Sequence, residues 1–214
     1  MKKRTHVVLF LISVLFPIQA HPARTDADEI VRKLRKKYES IKTLQVQFVQ
    51  TIYWSLADEE QAVSGTLYLA AGNKYRVETD NQIIVTNGKI VWTYSRDRNQ
   101  VIISALENSK ENPLPRDLML KYTRESRYTL VGQTRINGRD CYELVFIPKK
   151  EDEFLVRTRV WVDKKTWLAV KIEQEDINEN ITRYELKDFK INLPLSPDLF
   201  EFTVQKDMEV VDLR

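Results

Sequence analysis

The 214-residue sequence contains one cysteine, two histidines and five glycines, and each shortage removes a class of function. With Cys141 alone no intramolecular disulfide can form, so stability has to come from a hydrophobic core. Both histidines, His6 and His21, stand ahead of the patterned part of the chain. Ser-His-Asp triads, Cys–His dyads and zinc sites in their usual forms therefore lack their parts. The glycines fall into no phosphate-cradling loop. After residue 20 no apolar run approaches the roughly 20 residues that a membrane-spanning helix needs. No metal, no cofactor and no enzymatic activity are expected.

What the N-terminus does contain reads as a secretory signal. Lys2, Lys3 and Arg4 form a basic start, residues 7–16 an apolar stretch, and Ile18-Gln19-Ala20 a small-residue cleavage site, with cleavage after Ala23 as the alternative. Residues 1–20 are expected to be removed and residues 24–214 to form one exported domain. The whole chain has 34 Lys+Arg against 31 Asp+Glu. Residues 1–20 hold three of the bases and none of the acids, which leaves 31 of each in the rest. A nucleic-acid partner, which demands a basic footprint, is not expected.

Residues 26–42 carry Ile30, Val31, Leu34, Tyr38 and Ile41 at helical spacing, with Asp26, Asp28 and Glu29 in the first turn, and predict an amphipathic helix. The period then changes from 3.6 to 2. Strand patterns cover 44–54, 65–70, 74–79, the two runs that flank Asn87-Gly88 within 81–96, then 100–104, 127–135, 140–147, 155–163, 167–175, 181–191 and 200–204. Short turns between them demand antiparallel neighbours. The expected fold class is α+β: a single strongly curved, mostly antiparallel sheet, an open half-barrel of about 10–11 strands. An N-terminal helix and a short lid helix would lie on its concave side. Asn87-Gly88 predicts a two-residue hairpin turn with Val85 opposite Ile90 and Thr86 opposite Lys89, and Asn137-Gly138 predicts another. The first hairpin then gathers Ile83, Val85, Ile90, Trp92 and Tyr94 on one face.

Residues 106–122 leave the strand pattern. Pro113 and Pro115 precede a short helix-like run whose apolar members are Leu114, Leu118, Met119 and Leu120, the candidate lid. Acids such as Glu173 and Glu175 alternate with apolar residues along a strand, the pattern of a solvated outer face and not of a catalytic pair. The basic run Arg32–Lys37 fits either an acidic or anionic partner or a plain solvated helix face.

The remaining signal is a surplus of apolar wall. Leu44, Val46, Phe48, Leu67, Leu69, Tyr75 and Val77, taken together with Ile83, Val85, Ile90, Trp92 and Tyr94, are candidates to line a cavity for acyl chains. An ordinary packed core gives the same alternation.

The segments "ADEIVRKLRKKYESIKTLQVQFVQT", "GTLYLAAGNKYRVE", "IIVTNGKIVWTYS", "VWVDKKTWLAVKIEQED" and "LPLSPDLFEFTVQKDMEVVD", in this order, resemble the LolA or outer-membrane lipoprotein-sorting family over nearly the whole chain after residue 24. The resemblance implies a monomeric periplasmic carrier that shields the acyl chains of lipoproteins. Its implied partners are acylated lipoproteins, an inner-membrane lipoprotein-releasing ABC transporter and, if present, an outer-membrane lipoprotein receptor. Two positions depart from the family pattern. Ala71 and Gly72 stand where an Arg-Pro that tethers the lid is usual, and Val204 and Gln205 stand where paired prolines follow "FEF". A carrier or sensor for another amphiphile, such as a glycolipid or isoprenoid, or a partner-binding regulatory domain, would use the same half-barrel.

Overall fold

The computed structural model describes residues 25–108, 123–150 and 153–214. The expected leader and the lid residues Leu114, Leu118, Met119 and Leu120 lie outside these described residues.

Helix α1 spans Thr25–Glu39, with Asp26 and Asp28 in its first turn and Lys36 and Lys37 in its last, both favourable to the helix dipole. Its apolar stripe, Ile30, Val31, Leu34 and Tyr38, is buried, and Ile41 continues it past the helix end. The basic run on the opposite stripe is partly engaged within the molecule. Lys33 pairs with Glu29 at 2.7 Å and stands 4.6 Å above the Trp167 ring, while Arg35 donates to the Thr123 carbonyl at 2.9 Å. Arg32 and Lys36 remain exposed.

Twelve strands form one sheet: β1 Leu44–Trp54, β2 Glu59–Ala70, β3 Lys74–Thr79, β4 Gln82–Thr86, β5 Ile90–Ser95, β6 Gln100–Ala105, β7 Ser126–Ile136, β8 Arg139–Pro148, β9 Leu155–Asp163, β10 Ala169–Asp176, β11 Ile181–Ile191 and β12 Glu209–Asp212. Their order is β12-β6-β5-β4-β3-β2-β1-β11-β10-β9-β8-β7, so two meanders join where β1 pairs with β11. Among the described residues β12 and β7 are the two edges, and the sheet is open. One buried cluster holds the α1 stripe together with Leu44, Leu69 and Tyr75 from β1–β3 and Leu144, Val160 and Ala169 from β8–β10. In a flat sheet β3 and β8 would be about 29 Å apart, far wider than the roughly 10–12 Å of one helix. The sheet therefore curls around α1, which defines its inner face.

Twelve strands stand against the expected 10–11, and the C-terminal one, Glu209–Asp212, is not among the expected strand patterns. The stretch 200–204, expected as a strand, has no ladder partner. Its alternation records aromatic packing instead. A 3₁₀ turn at Pro197–Phe200 buries Phe200, and Phe202 then packs on Tyr94 in a tilted pair with ring centroids 5.4 Å apart. The chain goes on to β12, which pairs in parallel with β6, Val210 opposite Val101.

The two Asn-Gly turns close differently. Asn137 and Gly138 both have positive φ (46° and 78°), and Ile136 pairs with Arg139, a two-residue turn as expected. At Asn87-Gly88 only Gly88 has positive φ, and the pairs are Thr86 with Val91 and Val85 with Trp92. The register expected there is displaced by two residues. The cause is the Asn87 side chain, whose Oδ1 accepts the N–H groups of Lys89 and Ile90 at 3.1 Å each, an Asx turn that lengthens the loop. A displacement of two preserves which residues share a face. Trp167, expected within a strand, sits in the turn before β10 with φ of 60°. There it stacks on Tyr142, centroids 5.9 Å apart, and backs onto the α1 cluster.

Candidate functional site

Cross-strand register sorts the twelve candidate lining residues onto two faces. Leu44 lies opposite Leu69, Val46 opposite Leu67, and Phe48 opposite Gly65. Across the next pair, Leu69 faces Tyr75 and Leu67 faces Val77. Leu44, Val46, Phe48, Leu67, Leu69, Tyr75 and Val77 therefore share one face, and membership of the α1 cluster makes it the inner one.

The other five do not join them. Between β3 and β4, Tyr75 faces Thr86 and Val77 faces Ile84, while Arg76 faces Val85 and Glu78 faces Ile83. Ile83 and Val85 thus point outward, and register carries Trp92, Tyr94 and Ile90 with them. These five form a separate cluster with Val101, Ile103 and Phe202. The expectation that the hairpin face lines the same cavity as Tyr75 is corrected: the C-terminal segment covers it, on the side away from α1. The reason lies in the β3–β4 turn. Asp80-Asn81 is a two-residue connection, which pairs odd positions of one strand with even positions of the next. Thr79 and Gln82 close it, the Gln82 N–H donating to Thr79 Oγ1 at 3.1 Å.

The hairpin's own contributions to the inner face are Ile84, packed against the α1 cluster, and the buried pair Thr86 and Val91. Reading 80–81 as a tight turn and counting parity through it would have found Ile84. The far wall is supplied by Leu144, Phe146, Val160, Val162 and Ile172 from β8–β10. Period-2 alternation marked these residues as apolar, but nothing local to them reveals that the sheet curls far enough to bring them opposite β3.

The inner face grades from closed to open. Beneath α1 it is packed: Leu44, Val46 and Tyr75 are 5%, 2% and 2% exposed. A void of about 20 Å³ survives there, lined by Tyr38, Ile41, Lys42, Leu44, Leu69 and Ala70. The Tyr38 hydroxyl accepts the Ala169 N–H at 3.3 Å, and burial pushes its pKa up to about 12. Beyond α1, Phe48, Leu67, Val77 and Ile84 are only half-buried. The Phe48 ring lies against Gly65, where an added Cβ would come within 2.8 Å of the ring and 2.5 Å of the Glu78 carbonyl oxygen. Glycine there lets an aromatic ring lie flat along the inner wall.

Outward-facing acids of β8–β11 are spent on an ion ladder. Arg159 bonds Glu143 and also Glu173, and Glu173 in turn holds Arg183 at 3.1 Å. Arg159 and Lys171 also stand over the Trp161 ring, at 5.0 and 4.6 Å from its centroid. Carboxylates that are paired this way serve the sheet. An open polar groove of about 590 Å³ on this outer side runs past Gln47, Thr66, Glu78 and Arg96. Among the described residues no group of three or more His, Cys, Asp or Glu could hold a metal ion, and no helix is long and apolar enough to cross a membrane.

At the two positions that depart from the family pattern the backbone gives a reason for one. Gly72 has φ of 76° and Asn73 of 59°, forming the β2–β3 turn. Proline, locked near −65°, cannot occupy residue 72 in this turn.

The outer membrane lipoprotein carrier protein LolA family model matches residues 39–203. The chain is 28% identical over 186 residues to an outer-membrane lipoprotein carrier protein of Shewanella sediminis, covering 85% of each. It is 26% identical over 207 residues to one from Nitrosomonas europaea, covering 95% of this chain and 96% of that one. An uncharacterised protein of Methanocaldococcus jannaschii is 26% identical over 197 residues, which are 91% of this chain, and the chain spans 56% of that relative's length. Among solved structures, an uncharacterised conserved protein of Thermus thermophilus superposes with a TM-score of 0.58 at 18% identity, covering 86% of this chain and 98% of that one, a likeness of fold. The open, curled sheet with its single N-terminal helix and the family match over 39–203 agree, and the chain belongs to the outer membrane lipoprotein carrier protein LolA family.

Proposed function

We propose that this protein is a periplasmic carrier that holds the acyl chains of lipoproteins against the inner face of its sheet and moves them from the inner to the outer membrane. The observation that carries the reading is the row Leu67, Val77 and Ile84 with Phe48 beside it on the next row, all inward-facing and apolar yet only half-buried. An inner wall that ends in partly open aromatic and aliphatic side chains suits a guest of the same chemistry.

The physical need for such a carrier is large. Each methylene exposed to water costs about 0.8 kcal/mol, so one chain of about 16 carbons costs on the order of 12 kcal/mol in an aqueous compartment. A carrier must offset most of this and still let go. A wall whose residues already touch one another in the empty state supports release, because cargo gains only what the empty protein forgoes. On this reading the cargo arrives from a lipoprotein-releasing transporter in the inner membrane and leaves to a receptor or the lipid of the outer one.

Native mass spectrometry of the processed protein purified from its own periplasm tests the proposal. A bound acylated lipoprotein is the expected result. A free glycolipid or isoprenoid would replace the lipoprotein reading with that of another amphiphile carrier, and a stoichiometric protein partner without lipid would overturn both.

A further inference from the structure

The hydroxyl of Tyr75 is buried on the inner face without a hydrogen-bond partner among the described residues. Five other tyrosines place theirs. Tyr38 accepts the Ala169 N–H, Tyr53 donates to Asp58, Tyr94 to Asn99, Tyr128 to Asp28, and Tyr184 accepts from Gln50. Tyr75 is only 2% exposed, and its surroundings are apolar: Leu69 stands opposite on β2 and the α1 cluster packs over it. On β4 its partner is Thr86, whose hydroxyl already accepts the Gly88 N–H at 3.0 Å. Burial pushes the Tyr75 phenol's pKa upward, which keeps it a neutral O–H, a donor.

Phenylalanine would fill the same volume without leaving a polar atom unsatisfied, so the hydroxyl is a cost to the empty protein. Its position suggests what removes that cost. The half-open row Leu67, Val77 and Ile84 is the next inward row along the same three strands, about 7 Å from the row Leu69, Tyr75 and Thr86. A hydrocarbon chain lying along the half-open row would bring its polar end, where a carbonyl joins the chain to its carrier group, within the reach of one tyrosine side chain.

Resting on the carrier reading above, we propose that Tyr75 Oη–H donates a hydrogen bond to an acyl-ester carbonyl of the cargo and so selects ester-linked chains over plain hydrocarbon or ether-linked ones. The bond replaces an unmade one, so it contributes in the loaded state what the empty state lacks. It also sets how deep the chains sit, because hydrocarbon must run from Tyr75 outward along the Leu67–Val77–Ile84 row.

The test compares two synthetic peptides bearing an S-glyceryl cysteine, one with two palmitoyl esters and one with two hexadecyl ethers, binding to the wild-type protein and to Tyr75→Phe. Wild type is expected to hold the ester probe about threefold to tenfold more tightly than the ether probe. Y75F is expected to bind both alike, at the wild-type ether level, and to unfold at a temperature no lower than wild type. Equal binding of both probes by wild type, an ester preference that survives in Y75F, or a lowered melting temperature of Y75F would each overturn the assignment. If wild type binds neither probe, the carrier reading itself fails.

Discussion

Tyr75 lies directly opposite Thr86 across the β3–β4 pair, and that single register fixes which side of the sheet meets α1 and which meets the C-terminal segment. Photo-crosslinking amino acids at Val77 or Ile84, on the half-open inner row, are expected to capture acylated cargo in the periplasm. At Trp92, which is buried in the outer cluster with Phe202, none should be captured. Comparable lipid labelling at Trp92 and Val77 would contradict the face assignment.

The β2–β3 and β4–β5 turns touch through their glycines. A Cβ added to Gly88 would stand 2.1 Å from the Gly72 carbonyl oxygen, and Gly88 has φ of 94°. Gly72 shares the positive φ but has open space around it. Gly72→Ala should cost about 1–2 kcal/mol from backbone strain alone. Gly88→Ala should cost more, about 3 kcal/mol or above, because a backbone carbonyl has to move as well. Urea unfolding of the two variants checks the ranking, and equal losses would refute the contact.

Asp163 organises the β9–β10 turn. It is 4% exposed, and its carboxylate accepts the N–H groups of Lys165 (2.7 Å) and Thr166 (3.1 Å) and a bond from Arg139 (3.0 Å). Burial works to raise its pKa, but these donors together hold the carboxyl below its ordinary 3.8. A group with a depressed folded pKa contributes stability above its unfolded pKa and loses it as pH falls through the folded value. Asp163→Asn should therefore cost about 1–3 kcal/mol at pH 7, with the gap to wild type narrowing below about pH 4. Thermal melts from pH 7 to pH 2 measure it.

Cys141 is fully buried in a small outer cluster with Trp161 and Val170, and burial, with the nearby Asp163 charge, pushes its thiol pKa upward. Both effects suppress the thiolate. An aromatic disulfide reagent at pH 8 should find no thiol in the native protein and one per chain in guanidinium. Rapid labelling of the native protein would mean that the β8–β10 outer face opens.

Much of the architecture is legible in the chain because it depends on neighbours in sequence. The switch from a 3.6 to a 2 period at Thr43 separates α1 from β1, and the Asn137-Gly138 turn follows from the φ tolerance of its two residues. At 200–204 the same period-2 signal misleads, since Phe200 is buried at the end of a 3₁₀ turn and Phe202 packs on Tyr94, and neither joins a ladder. Alternation reports which side chains are apolar; it is silent about what covers them.

By itself the sequence determined that most of this chain is a run of antiparallel strands after one amphipathic helix, because short turns and side-chain periods are local properties. It also determined that the hairpin's Ile83, Val85, Ile90, Trp92 and Tyr94 travel together, since a displacement of two leaves parity intact. Only the tertiary structure decided that they face Phe202 while Tyr75, Val77 and Ile84 face the helix. That choice depends on the odd-to-even pairing across Asp80-Asn81 and on a curl that brings β8–β10 around α1, and both are relations between residues far apart along the chain.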